Sequence, residues 1–116
     1  MTTSNFAEAA RRTIRLEAEA VTLLEERIDA AFDRACELIM QCTGRVIVTG
    51  MGKSGHIGRK IAASLASTGT PAFFVHPGEA SHGDLGMITR VDLVLALSNS
   101  GTTAEIITLL PLIKRM

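Results

Sequence analysis

Val46-Ile47-Val48-Thr49-Gly50-Met51-Gly52-Lys53-Ser54-Gly55-His56 is the stretch on which the reading of the fold turns. Four β-branched residues in succession favour a strand, and with no polar alternation they suit a strand buried on both faces. The glycines at 50, 52 and 55 let the backbone turn sharply and approach a ligand closely. A helix beginning there aims unpaired N–H groups at an anion.

Downstream, Ile57 to Ser67 reads as a helix with Ile57, Ile61, Leu65 and Ala66 toward the core, stopped by Gly69 and Pro71. Ala72-Phe73-Phe74-Val75 is a second buried strand. Pro77 to Gly86 is a polar loop with little periodicity. Val91 to Leu97 is a third strand, apolar except at Asp92, and Thr103 to Lys114 returns to helix with Pro111 inside it. Strand, helix, strand, loop, strand, helix is the grammar of a parallel sheet covered on both sides. Three strands leave a sheet with open edges, and doubly wound domains usually have five or more. The expectation is therefore an incomplete domain, a truncated chain or gene fragment, completed by self-association.

Upstream, residues 5–43 contain no Gly or Pro. Asn5 is placed to cap a helix, with Glu8 three residues on. Ile14, Val21, Leu24, Ile28, Ala31, Ala35, Leu38 and Cys42 follow at steps of three, four or seven, which makes one apolar stripe. Two outcomes fit: two helices with a break near Glu25–Ile28, or one long helix packed on another subunit. Gly44 stands where a C′ glycine would end the segment. The domain division is thus an N-terminal helical segment, 1–43, and an α/β domain, 44–116.

The 116 residues are 47% hydrophobic, enough for one core, and only 3% aromatic. Few aromatics argue against stacking platforms for single-stranded nucleic acid. Lys+Arg and Asp+Glu balance at 12 each, so bulk charge recruits neither nucleic acid nor an anionic membrane. No apolar run approaches a membrane span, and the first eight residues do not form a signal peptide. A cytoplasmic protein follows, with Cys36 and Cys42 as reduced, half-buried thiols.

Two motifs fall just past the carboxyl ends of strands, where such sheets bind ligands. Gly50, Gly52 and Gly55 satisfy G-x-G-x-x-G, but His76 and Pro77 stand where a dinucleotide site wants an acidic residue. Gly-Lys-Ser at 52–54 is not a phosphate loop of the Walker type, because its first glycine would fall on Ile47. The second motif, Ser98-Asn99-Ser100-Gly101-Thr102-Thr103, puts four hydroxyls into six positions before a helix. Hydroxyls and helix amides bind phosphate oxygens, although one of them would also serve as an N-cap. Between the motifs, His76 to Gly86 holds two histidines and two carboxylates, a source of acid–base groups. His76 and His82 have no spacing for a tight metal site, and His56 reads as a surface residue in a first helical turn.

These residues together resemble the sugar isomerase (SIS) domain, and more narrowly the arabinose 5-phosphate isomerases of Gram-negative bacteria. The resemblance runs from Gly44 to about Lys114. It is carried by 50–58, by Phe73-Phe74-Val75-His76-Pro77-Gly78-Glu79-Ala80, by Ser81-His82-Gly83-Asp84-Leu85-Gly86, and by the general pattern Ser98-x-Ser100-Gly101-x-Thr103. It implies a three-layer, flavodoxin-like parallel sheet of five strands, a homotetramer, and interconversion of D-arabinose 5-phosphate and D-ribulose 5-phosphate on the way to the eight-carbon sugar Kdo, used in lipopolysaccharide or capsule. By resemblance Ser98, Ser100 and Thr103 hold phosphate, with Asn99, Gly101, Thr102, Gly52 and Ser54 alongside. Gly69 and Thr70 line the sugar site, and Lys53, His82 and Glu105 lie at the chemistry. His76 matches a position that can contact a non-essential metal. No cofactor is expected. Family enzymes continue with two more strands and usually paired CBS domains.

Chemistry agrees with that assignment. Isomerisation needs the sugar ring opened and a proton moved between C1 and C2 through an enediol. Glu105 is the candidate base, with complementing the helix dipole as its alternative role. Lys53 suits an enediolate charge or the phosphate, and His82 suits ring opening or a sugar hydroxyl. The competing functions are a non-catalytic sugar-phosphate sensor and a dinucleotide-binding module.

Overall fold

The structure is a computed structural model, and it describes residues 5–81, 84–101, 104, 107, 111 and 113. The chain divides into two compact units, Met1–Glu37 and Leu38–Met116.

In the first unit, α1 (Phe6–Leu24) starts where Asn5 Oδ1 accepts the Glu8 N–H at 3.1 Å. Glu8 then pairs with Arg15 at 3.1 Å and Arg11 at 3.7 Å, exposed contacts of small energetic weight. A 3₁₀ turn, Glu25–Arg27, and an extended Ile28 interrupt the helical run before α2 (Ala30–Gln41). Of the two outcomes open from the sequence, two helices with a break are found. Asp29 stabilises the restart, its Oδ1 accepting the Ala31 N–H at 3.0 Å.

The second unit is built on a parallel sheet of β1 (Val46–Gly50), β2 (Ala72–Phe74) and β3 (Leu93–Leu97), in the order β2-β1-β3. Ile47 stands level with Phe73 on one side and Val94 on the other. As the central strand, β1 is buried along its whole length. Alternation then divides the core. Val46 and Val48 pack with Ala62, and with Ile39, Ile61, Leu65 and Phe74, on one face. Ile47 packs with Val75 and Ile88, and with Ile113, on the other. Burying such a side chain contributes about 1.5–3 kcal/mol, so Val46, Ile47 and Val48 of the run identified first are also the energetic centre.

The connecting elements depart from the sequence reading in four places. Helix α3 runs Gly52–Ser67, starting five residues before the expected Ile57. Its buried positions are Gly55, Gly58 and Ala62, while Ile57 is 59% exposed and Ala66 is exposed. Ile61 and Leu65 pack on the core as expected, but the fully buried positions are small ones, because a Cβ on Gly58 would stand 3.1 Å from Phe74 and 3.2 Å from Val48. The polar loop contains a short helix, α4 (Pro77–Ser81), with Pro at its first position, and a 3₁₀ turn, Asp84–Met87. Gly44 is no helix cap: its φ is not positive, and it is glycine because a Cβ there would stand 2.6 Å from the Val91 carbonyl oxygen. Finally, β3 begins at Leu93, so Asp92 precedes the strand.

Asp92 closes the amino edge of the sheet. Its Oδ1 accepts the Arg45 N–H at 2.8 Å, and its Oδ2 accepts the Thr89 N–H at 2.8 Å and the Arg45 guanidinium at 3.2 Å. The Arg45 guanidinium also donates to the Met87 carbonyl and lies over the Phe73 ring at 4.8 Å. Burial opposes ionisation of Asp92, but these donors more than offset it and lower its pKa to about 2. Both cysteines are free. Cys36 is exposed where a half-buried thiol was expected, and Cys42 is partly buried.

Candidate functional site

At the carboxyl end of β1 the chain leaves through Gly50, an extended Met51 and Gly52 at φ +57°, and enters α3 directly. A left-handed turn of this kind favours glycine. Gly55 is required by contact, since a Cβ there would stand 2.7 Å from the Gly50 carbonyl oxygen, and a Cβ on Gly50 would be tight at 3.1 Å from the Ser54 backbone. The first backbone bond of the helix is Gly55 N–H to Met51 O at 3.2 Å. The amides of Gly52, Lys53 and Ser54 therefore precede it, as helix-start donors do.

Lys53, Ser54 and Ile57 form one wall of a cavity of about 450 Å³, and Leu97, Ser98 and Asn99 form the other. The two motifs, far apart in sequence, thus meet at one site. They do so because β1 and β3 are adjacent and parallel and end level, Gly50 beside Leu97. In the second motif Ser98 Oγ accepts the Gly101 N–H at 2.9 Å, and Gly101 turns the chain at φ +72°. Ser98 therefore shapes its own loop as well as lining the cavity. Ser100 and Gly101 follow it on the exposed rim.

Other expected site residues fall elsewhere. Gly52 lines a second cavity, on the β2 side of α3, and His76 lines that one too. Gly69 and Thr70 follow the end of α3 and precede β2, whose first residue pairs with Val46. They stand at the amino edge of the sheet, so within this chain they do not line the cavity of Lys53 and Ser98. His82, Thr102, Thr103 and Glu105 lie outside the described residues. No group of three or more His, Cys, Asp or Glu suited to a metal occurs among the described residues. His56 is exposed on α3, as expected, but it lines the second cavity together with Arg59. Sequence reasoning missed Arg59, which no motif marks, and Thr49. The Thr49 hydroxyl, at the end of β1, is buried without a hydrogen-bond partner among the described residues.

Among the described residues no helix is long and apolar enough to cross a membrane. A model of the SIS domain matches residues 39–116. The chain is 68% identical over 112 residues to arabinose 5-phosphate isomerase KdsD of Pseudomonas aeruginosa and 61% identical over 111 residues to KdsD of Yersinia pestis. These matches take in 97% and 96% of this chain, which spans about a third (34%) of each relative's length. Among solved structures, an E. coli CFT073 protein in complex with arabinose 5-phosphate superposes with a TM-score of 0.83 at 44% identity. That match covers 97% of this chain and 62% of the other. A Bacteroides fragilis phosphosugar isomerase described as putative and as involved in capsule formation gives 0.90 at 39% identity, covering 96% and 59%. The glycine turn, the hydroxyl loop and these matches together establish that the chain belongs to the SIS-domain family.

Proposed function

We propose that the protein to which this chain belongs is an aldose–ketose isomerase that interconverts D-arabinose 5-phosphate and D-ribulose 5-phosphate, and that the cavity between Lys53 and Ser98 receives the substrate. The observation that carries this reading is the meeting of the two motifs at level strand ends. One wall offers the Lys53 ammonium group, the Ser54 hydroxyl and helix-start amides, the other the Ser98 hydroxyl and the Asn99 amide. Such a pairing suits a ligand that is anionic at one end and hydroxylated along its length. The likeness to curated arabinose 5-phosphate isomerases, and to a chain solved with that sugar phosphate, supports the substrate class.

In this account Ser98, Asn99, Ser100, Gly101, Thr102 and Thr103 hold the phosphate, with Ser54 alongside. His82 opens the ring by moving a proton at the ring oxygen. Glu105 takes the proton from C2 of the open aldose and returns it to C1, while the O2 hydroxyl proton passes to O1. The ketose results without net gain or loss of atoms or electrons. Lys53 faces the enediolate oxygen and offsets the charge that develops there. The product would feed Kdo synthesis, in the cytoplasm, from a tetrameric enzyme.

Conversion of arabinose 5-phosphate to ribulose 5-phosphate by the full-length protein tests the reading. We expect Glu105→Gln to lower kcat by orders of magnitude at little changed substrate affinity. Wild-type protein without isomerase activity, or a variant of near-normal turnover, would contradict it.

A further inference from the structure

The second cavity, of about 250 Å³, lies between the glycine turn and the carboxyl end of β2. It shares no lining residue with the cavity of Lys53 and Ser98. Successive residues of α3 serve opposite sides: Gly52, Gly55, His56 and Arg59 face this one, and Lys53, Ser54 and Ile57 face the other. Arg59, His56 and His76 are its ionisable lining groups; no carboxylate is among them.

Two of these side chains are fixed in ways that suit one kind of ligand. The Arg59 guanidinium lies over the Phe74 ring, 4.3 Å from its centroid. Stacking holds the plane and leaves the edge N–H groups to donate. Arg59 has no ion-pair partner among the described residues. His76 Nδ1 accepts the Gly78 N–H at 3.0 Å. A neutral imidazole that accepts at Nδ1 carries its proton on Nε2. The free nitrogen of His76 is thus a donor, the opposite of the lone pair that a metal ion needs.

We propose that this cavity is a second anion site, separate from the sugar-phosphate cavity, and that it takes a small phosphate-type oxyanion held by Arg59 and by His76 Nε2–H. Its ionisable lining consists of Arg59 and two histidines, and no carboxylate competes among the lining residues. Arg59 supplies the planar donor edge that phosphate oxygens match. The site lies beside the same glycine turn as the other cavity, so its occupant and the substrate meet the same helix start from two sides.

Calorimetric titration of the full-length protein with inorganic phosphate tests this. Arg59→Met is expected to remove one phosphate per chain from the binding stoichiometry, and Arg59→Lys to weaken that site roughly tenfold, through loss of the planar edge. Lys53→Ala is expected to spare it. Arg59 is exposed, so the variants should fold, and an unchanged melting temperature verifies that. The same stoichiometry in Arg59→Met as in wild type would overturn the proposal, as would loss of all phosphate binding in Lys53→Ala. The readout uses phosphate alone and stands apart from the isomerase assay.

Discussion

A Cβ on Gly55 would stand 2.7 Å from the carbonyl oxygen of Gly50, the residue at the end of the central strand. Strand and helix therefore meet in a contact that only hydrogen at position 55 permits, and this contact sets where the α3 amides point. Neither backbone can retreat without disturbing β1. Gly55→Ala should cost about 2 kcal/mol or more, within the range of overpacking and backbone effects. Gly86→Ala, where nothing lies within 4 Å of the added carbon, is the control. Denaturant melts of the two variants measure the difference.

Asp92 ties the amino edge of β3 to that of β1 through Arg45, remote from the candidate site. Asp92→Asn gives up charge-assisted bonds at a side chain that is 2% exposed. A loss of about 2–3 kcal/mol is expected from hydrogen bonds to charged groups. The pH dependence has a definite sign. The folded pKa, about 2, lies below the unfolded value of 3.8, so the contribution is fully present above pH 3.8 and is lost as pH falls toward 2. Acid melts of wild type and Asp92→Asn should converge over that window.

Thr49 buries a hydroxyl with no partner among the described residues. Valine has the same shape without the unsatisfied group, so Thr49→Val should stabilise the fold by about 1 kcal/mol. A thermal melt decides it. Destabilisation would mean that the hydroxyl is bonded in the folded protein.

Ser98 both lines the cavity and accepts the Gly101 N–H. Ser98→Ala should raise KM for arabinose 5-phosphate roughly tenfold or more, the scale of a lost hydrogen bond to a charged group. Turnover at saturation should fall much less, because under the proposed function the residue holds the phosphate, the end of the substrate that does not react. A steady-state comparison of kcat and KM separates the two effects.

The sheet was legible because its signal is local. Val46 to Thr49 favours a buried strand in any context, and Gly50 and Gly52 after it mark where the strand ends and the chain turns. The meeting of Lys53 with Ser98 followed from the rule that parallel strands present their ligand loops at one end. The start of α3 was hidden, since Gly52, Gly55 and Gly58 in its first turns carry little helical propensity and the burial of Gly55 and Gly58 depends on Phe74 and Val48. Helix α4 is too short to show a period, and Gly44 owes its identity to a contact with Val91, far along the chain. Gly69 and Thr70 came from a family pattern, and within one chain the fold sets them at the other edge. Arg59 and His76 belong to no shared motif, and only adjacent elements bring them to one cavity.

The most direct test of the central claim is a crystal structure of the full-length protein with arabinose 5-phosphate bound. The account predicts the phosphate against the Ser98–Ser100 loop, with the Lys53 ammonium group facing the C1–C2 end of the sugar. Sugar phosphate seated away from the cavity between Lys53 and Ser98 would contradict it.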